Sequence, residues 1–159
     1  MTNAKITVKG VPPKWDDAEF EARIDSWANV YRGTTQCMVS VRSPLPHDFL
    51  ESVASKIAEG YKVARNQAVT HEALNHSCWM VKPDNKQQKD IDDIRVRVKA
   101  EYVGFLQAER KRYQDLLTAQ LLQTAEAKEQ KKEEEKKAKL LREIENEVAD
   151  AFAPLSIPG

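Results

Sequence analysis

Glycine is sparse: five residues in 159, scattered, with no phosphate-cradling loop on which nucleotide hydrolysis would depend. Cysteine and histidine are scarcer still, with Cys37 and Cys78 set against His47, His71 and His76. His71, His76 and Cys78 are near in sequence, yet the tight paired spacing of a zinc site and a fourth ligand are both missing. Neither a metal centre nor a Cys–His nucleophile is expected. No apolar run approaches the roughly 18–20 residues that a membrane span needs. The stretch from Met1 to Gly10 is too short and mixed to be a secretory leader. These absences lead to the expectation of a soluble, cytoplasmic, non-enzymatic protein without a cofactor, its cysteines buried as thiols rather than joined.

Charge is what the chain has in abundance. Charged residues make up 31% of it, balanced at 25 basic and 25 acidic. Gross charge therefore selects no partner, and only its distribution is informative. Patterning divides the chain into a head (1–86), a long charged helix (87–150) and an irregular tail (151–159) marked by Pro154 and Pro158.

In the head, residues 5–9 alternate, Ile6 and Val8 against Lys5, Thr7 and Lys9, as a half-buried strand does. Asp16 opens a helix with Glu19 as capping-box partner. Phe20, Ile24, Trp27 and Tyr31 form its stripe, and Gly33 is the expected cap. Residues 36–42 alternate again until Pro44 and Pro46 intervene. A second helix over 47–59 turns Leu50, Val53 and Ile57 inward and stops at Gly60. Residues 61–66 and 77–82 read as strands, separated by a loop or imperfect hairpin. The head thus reads β-α-β-α-β-β. This is an α+β fold with a small mixed sheet, whose helices on one face leave the other open.

In the long helix, Ile91, Ile94, Val98, Tyr102, Phe105, Tyr113, Leu116 and Leu117 keep a helical stripe, which Leu121 and Leu122 extend. Its repeat is closer to eleven than to seven. These positions are the expected contacts of a coiled-coil homo-oligomer. Residues 94–102 also alternate in a strand-like way, but the stripe running on beyond them favours helix. Residues 123–139 lack any large apolar side chain and read as a solvated helix or as disordered. Leu140, Leu141, Ile144 and Val148 then restore the stripe.

The strand-like runs carry Lys5, Lys9, Arg42, Lys62, Arg65 and Lys82 and no acid, whereas the acids of the head fall mainly in helices. A basic open face would attract a phosphate backbone through counterion release. Tyr61 and Trp79 in the same strands are candidates to stack on unpaired bases, at roughly 1–3 kcal/mol per base, which favours single-stranded DNA over duplex. Arg95 and Arg97 extend that track, with Lys99, Arg110, Lys111 and Arg112 nearby, although the interspersed Asp92, Asp93, Glu101 and Glu109 suit a plain solvated face. Lysines also guard strand edges, and strand aromatics commonly belong to a core. The run Glu143, Glu145, Glu147 and Asp150 before Phe152 is a candidate for docking a protein.

A small head with basic strands, aromatics within them and a long C-terminal helix resembles the Drc family, the single-stranded-DNA-binding RNA polymerase cofactors of certain podophages. The resemblance is architectural and spans most of the chain. No short motif carries it, so no functional residue transfers. It implies a viral protein in the host cytoplasm, joined into an oligomer through its helices. Such a protein binds displaced template DNA and assists a phage-type RNA polymerase in transcription or replication. The alternative is a structural or adaptor protein that oligomerises through its long helix and binds a protein partner.

Overall fold

The structure is a computed structural model and describes residues 4–152 and 154–159. The fold is α+β: a small antiparallel sheet of four strands with two helices, followed by a long C-terminal helix. The chain divides into two compact units, Lys14–Gln107 and the paired segments Met1–Pro13 and Ala108–Gly159.

In the first unit, α1 spans Asp17–Gly33 and is capped by Asp16, whose carboxylate accepts from the Ala18 N–H at 2.9 Å. A capping box does not form. The Asp16 N–H donates instead to the Tyr102 hydroxyl, and Glu19 pairs with Arg23 at 2.8 Å. Phe20, Ile24 and Tyr31 are buried as the stripe requires, but Ala28 takes the inward place expected of Trp27, which stays exposed. Gly33 is the last helical residue and not the cap. Thr34 ends the helix in an extended conformation, its hydroxyl donating to the Val30 carbonyl at 2.8 Å.

A short 3₁₀ turn, Thr35–Cys37, leads into β1 (Met38–Ser43). Helix α2 (Pro46–Ala58) begins at a proline, which suits a first turn whose N–H groups lack partners in any case. Its phase differs from expectation: Phe49 is buried and Val53 half-buried, while Leu50 and Ile57 point to solvent. The large Phe49 ring takes the space over the sheet and rotates the helix by about one residue, or 100°. Gly60 does terminate it. At φ +95° it lets the Gly60 N–H reach Ile57 and the Tyr61 N–H reach Lys56, both at 3.0 Å, which is a Schellman closure.

The remaining strands are β2 (Lys62–Val63), β3 (Thr70–Glu72) and β4 (Asn75–Val81). Strand β4 is the centre: β1 pairs along one edge, and β2 and β3 pair along its length, all antiparallel rather than mixed. The 67–76 segment therefore contains a strand, joined to β4 through Ala73 and Leu74. Residues 5–9, expected as the first strand, form none. Their alternation is real, since Ile6 and Val8 are half-buried. The Ile6 and Val8 N–H groups, however, donate to the side chains of Gln123 and Gln120 at 2.9 and 3.3 Å rather than to a sheet edge.

Cross-strand register sorts the faces. Val41 and Cys78, with Val39 and Met80, share one face and pack with Phe49 and Tyr61 under α2. Met38, Trp79 and Val81 share the other and pack with Ala64, with Tyr31 of α1, and with Ile91 and Ile94 of α3 (Asp84–Ala151). Helices thus lie on both faces, which corrects the expectation of one open face. A sheet with two apolar faces needs a cover on each. Residues 94–102 are helical, and so are 123–139.

Helix α1 lies along the first part of α3. Phe20 and Ile24 meet Val98 and Tyr102, with Ile94 and Leu106 at the margin. Fully burying each large side chain of this seam is worth about 1.5–3 kcal/mol before the entropic cost of ordering it.

Candidate functional site

Ten residues were expected to hold nucleic acid, and the structure disperses them. Tyr61 is buried. Its ring lies beneath the ammonium groups of Lys56 and Lys86, 4.7 and 4.8 Å from the centroid, and Lys86 also donates to its hydroxyl at 3.1 Å. No face of it is free to stack on a base. Trp79 is half-buried against the Tyr31, Cys37 and Met38 cluster. Lys82 is bound to Asp90 at 2.7 Å. Arg95 grips both oxygens of Glu21 at 2.9 Å, and Arg97 lies 4.8 Å over the Trp27 ring with Glu101 at 3.8 Å. Of the neighbouring basic set, Lys111 pairs with Asp115 and Arg112 with Glu109.

Arg42, Lys62 and Arg65 remain exposed, with no ion pair among the described residues. Lys5 and Lys9, also exposed, belong to the other unit. Register sets Arg42 opposite Ser77 and Ser40 opposite Trp79, with Thr70 beyond Ser77. Ser40 and Arg42 are exposed and Ser77 and Thr70 half-buried, so this end of the face is polar and accessible.

The residues expected to join copies also divide. Val98 and Tyr102 are buried within the head, and Ile91 and Ile94 pack against its cores. They close the fold and are not free to join copies. Phe105 is partly exposed beneath the Arg23 guanidinium, 5.4 Å from the ring centroid. In the second unit Tyr113 is half-buried, with its hydroxyl facing Gly10, which takes φ +78°. Leu116 and Leu117 are exposed, together with Leu121, Leu122, Leu140, Leu141, Ile144 and Val148, all between 37% and 60%. Of the last six, Leu121 and Leu122 extend the stripe read from the sequence, and Leu140, Leu141, Ile144 and Val148 restore it as a separate contact. Their period marked them; what distinguishes them is that each keeps more than a third of its surface exposed.

One polar network ties α1, β4 and α3 together. Asp90 accepts from the Tyr31 hydroxyl and from the Lys82 ammonium that follows β4. Burial pushes the Asp90 carboxyl up. Hydrogen bonds from Lys82 and Tyr31, with the charges of Lys82 and Lys89, outweigh this and leave it below the usual carboxylate range. Burial, then the carboxylate partner, raises the Tyr31 hydroxyl. Burial likewise raises the Cys78 thiol, which keeps it protonated and unreactive. The network is structural, and it absorbs a lysine that sequence pattern had offered to phosphate.

Among the described residues no group of three or more His, Cys, Asp or Glu side chains converges as a metal centre, and no helix is long and apolar enough to cross a membrane. Comparison with known protein families, curated proteins and solved structures finds no match.

Proposed function

We propose that the protein is a self-associating structural or adaptor protein, in which the part of α3 beyond Ala108 joins copies of the chain. The observation that carries this is the set of eight exposed aliphatic residues from Leu116 to Val148 on one helix. Isolated surface leucines are ordinary, but a recurring apolar stripe is the mark of a contact surface. A second copy is the favoured occupant because it carries the same stripe, and a symmetric pair satisfies both at once.

The test is solution mass by light scattering on the full chain across a range of concentrations. The expected result is a multiple of 18.1 kDa that falls to the single-chain mass in the variant Leu141→Gln/Ile144→Gln. A single-chain mass at every concentration up to high micromolar would refute self-association. A multiple that survives both this change and Leu117→Gln/Leu121→Gln would refute the surface.

A second reading, binding of single-stranded nucleic acid by a cofactor of viral transcription, keeps a specific support in exposed, unpaired Arg42 on the polar end of the sheet face next to Trp79. Without Tyr61 its stacking contribution rests on Trp79 alone. It requires a gel shift with labelled single strands that weakens steeply with salt and is lost in Arg42→Ala/Lys62→Ala. No shift at low salt would eliminate it.

A further inference from the structure

We propose that His71 and His76 form a two-histidine chelate for a late first-row divalent cation, with zinc the ion that their geometry fits. The two residues are direct cross-strand partners in the β3–β4 hairpin. Their rings turn toward each other with the Nδ1 atoms 3.2 Å apart. Two neutral imidazoles meet this way in only two circumstances. Either one Nδ1–H donates to the other ring's lone pair, or both lone pairs converge on a cation.

The separation is within hydrogen-bond range and fits the second case as well. With zinc–nitrogen bonds of about 2.0–2.1 Å, a 3.2 Å gap corresponds to an N–Zn–N angle of about 100–106°, close to tetrahedral. A square-planar ion with cis nitrogens at right angles would need them nearer, at about 2.9 Å. The pair is also held in place. Phe49, buried on the inner face of α2, lies with its ring centroid 5.9 Å from that of His71, edge to face, and 6.1 Å from that of His76. The hairpin fixes the backbone and this ring limits the imidazole torsions, so little ordering remains for the ion to impose.

His71 is exposed and His76 half-buried, so an ion has a path from solvent. Two protein ligands leave two coordination positions for water. The site is therefore an open, exchangeable one, unlike a four-ligand structural zinc centre. Imidazole ligands and an exposed position suit zinc and its neighbours and exclude calcium and magnesium, which take oxygen ligands.

The test is calorimetric titration of Zn²⁺ alone into the full chain at neutral pH, alongside ring-carbon NMR of the three histidines. One equivalent should bind per chain, the His71 and His76 signals should move together, and His47 should stay in place. Affinity should fall by about tenfold or more in His71→Ala and in His76→Ala, since loss of a direct ligand exceeds the 10–100-fold range of outer-sphere changes at its lower end. Unmoved His71 and His76 signals at saturating zinc would overturn the proposal and assign the 3.2 Å contact to a hydrogen bond alone. Unchanged affinity in both variants would overturn it as well. The NMR readout uses the unaltered protein, so it decides the question even if a variant folds poorly.

Discussion

Val98→Ala separates the two uses of the long helix. Val98 is 2% exposed and packs with Phe20, Ile24 and Tyr102 inside the head. The substitution removes two buried carbons, worth about 1.6 kcal/mol at about 0.8 kcal/mol each. A residual void of about 20–40 Å³ adds about 0.5–1 kcal/mol at the usual cavity cost. The expected loss is therefore about 2–2.5 kcal/mol. A unit of this size shifts its midpoint by roughly 4–8 °C per kcal/mol, so the unfolding temperature should drop by about 8–20 °C. Tryptophan fluorescence reports the event, because the Trp15 ring lies 4.9 Å from the rings of both Phe20 and Tyr102. Solution mass under native conditions should match the unaltered protein. A lower mass with an unchanged midpoint would refute the assignment and return Val98 to a contact between chains.

Leu74 takes φ +57° at the tip of the β3–β4 hairpin while largely exposed to solvent. Its replacement by glycine should raise the urea midpoint, because the left-handed strain of about 1–2 kcal/mol exceeds glycine's entropic penalty of about 0.5–1 kcal/mol. Gly60→Ala should destabilise by about 2 kcal/mol, since a Cβ at φ +95° is strained and would meet the Pro83 Cβ at 3.3 Å; an unchanged midpoint would count against the Schellman closure of α2. Asp90 has a depressed carboxyl, so its contribution is complete above the unfolded value near 3.8 and disappears as pH falls through the lower folded value. Asp90→Asn should cost about 1–2 kcal/mol at neutral pH, allowing for its partial exposure, and should lessen the stability lost between neutrality and strong acid.

Periodicity made the long helix, α1, β1 and β4 legible, and the continuation of the stripe past Tyr102 correctly favoured helix over strand at 94–102. It was less informative where the deciding partner is remote. Residues 5–9 alternate as a strand would, but the groups that receive their N–H bonds are glutamines over 110 positions away. The phase of α2 turned on whether Phe49 or Leu50 would fill the space over Met80, a matter of volume and not of pattern. Basic residues were misjudged for the same reason. Lys82 finds Asp90 on the next element and Arg95 finds Glu21 at a separation of 74, so a charge that looks free in sequence is already spent in the fold.

The same limit bears on the helix stripe, whose uniform period conceals a change of role. Up to Leu106 the stripe packs mainly into the head, with Phe105 partly exposed; from Leu116 its aliphatic residues each keep more than a third of their surface exposed. The uncovered part is itself broken by 123–139, so a continuous coiled coil is not what it encodes. Leu122 and Leu140 are 18 residues apart, five full turns and about 27 Å, and so align across the charged gap, whereas Leu116, Leu117 and Leu121 lie about 100–140° around the helix from them and face a different side. Each patch has four aliphatics about half exposed. Burying the remainder yields about 0.75–1.5 kcal/mol apiece, or about 6–12 kcal/mol for one patch on both members of a pair. Association forfeits about 4–15 kcal/mol of translational and rotational freedom. One patch lies within the range of that loss, whereas two, at about 12–24 kcal/mol, exceed all but its upper end. Loss of either patch should therefore abolish assembly at micromolar concentration instead of halving its free energy. A variant lacking one patch that still associates as tightly as the intact chain would show that the patches act separately, and would defeat this account of the gap between them.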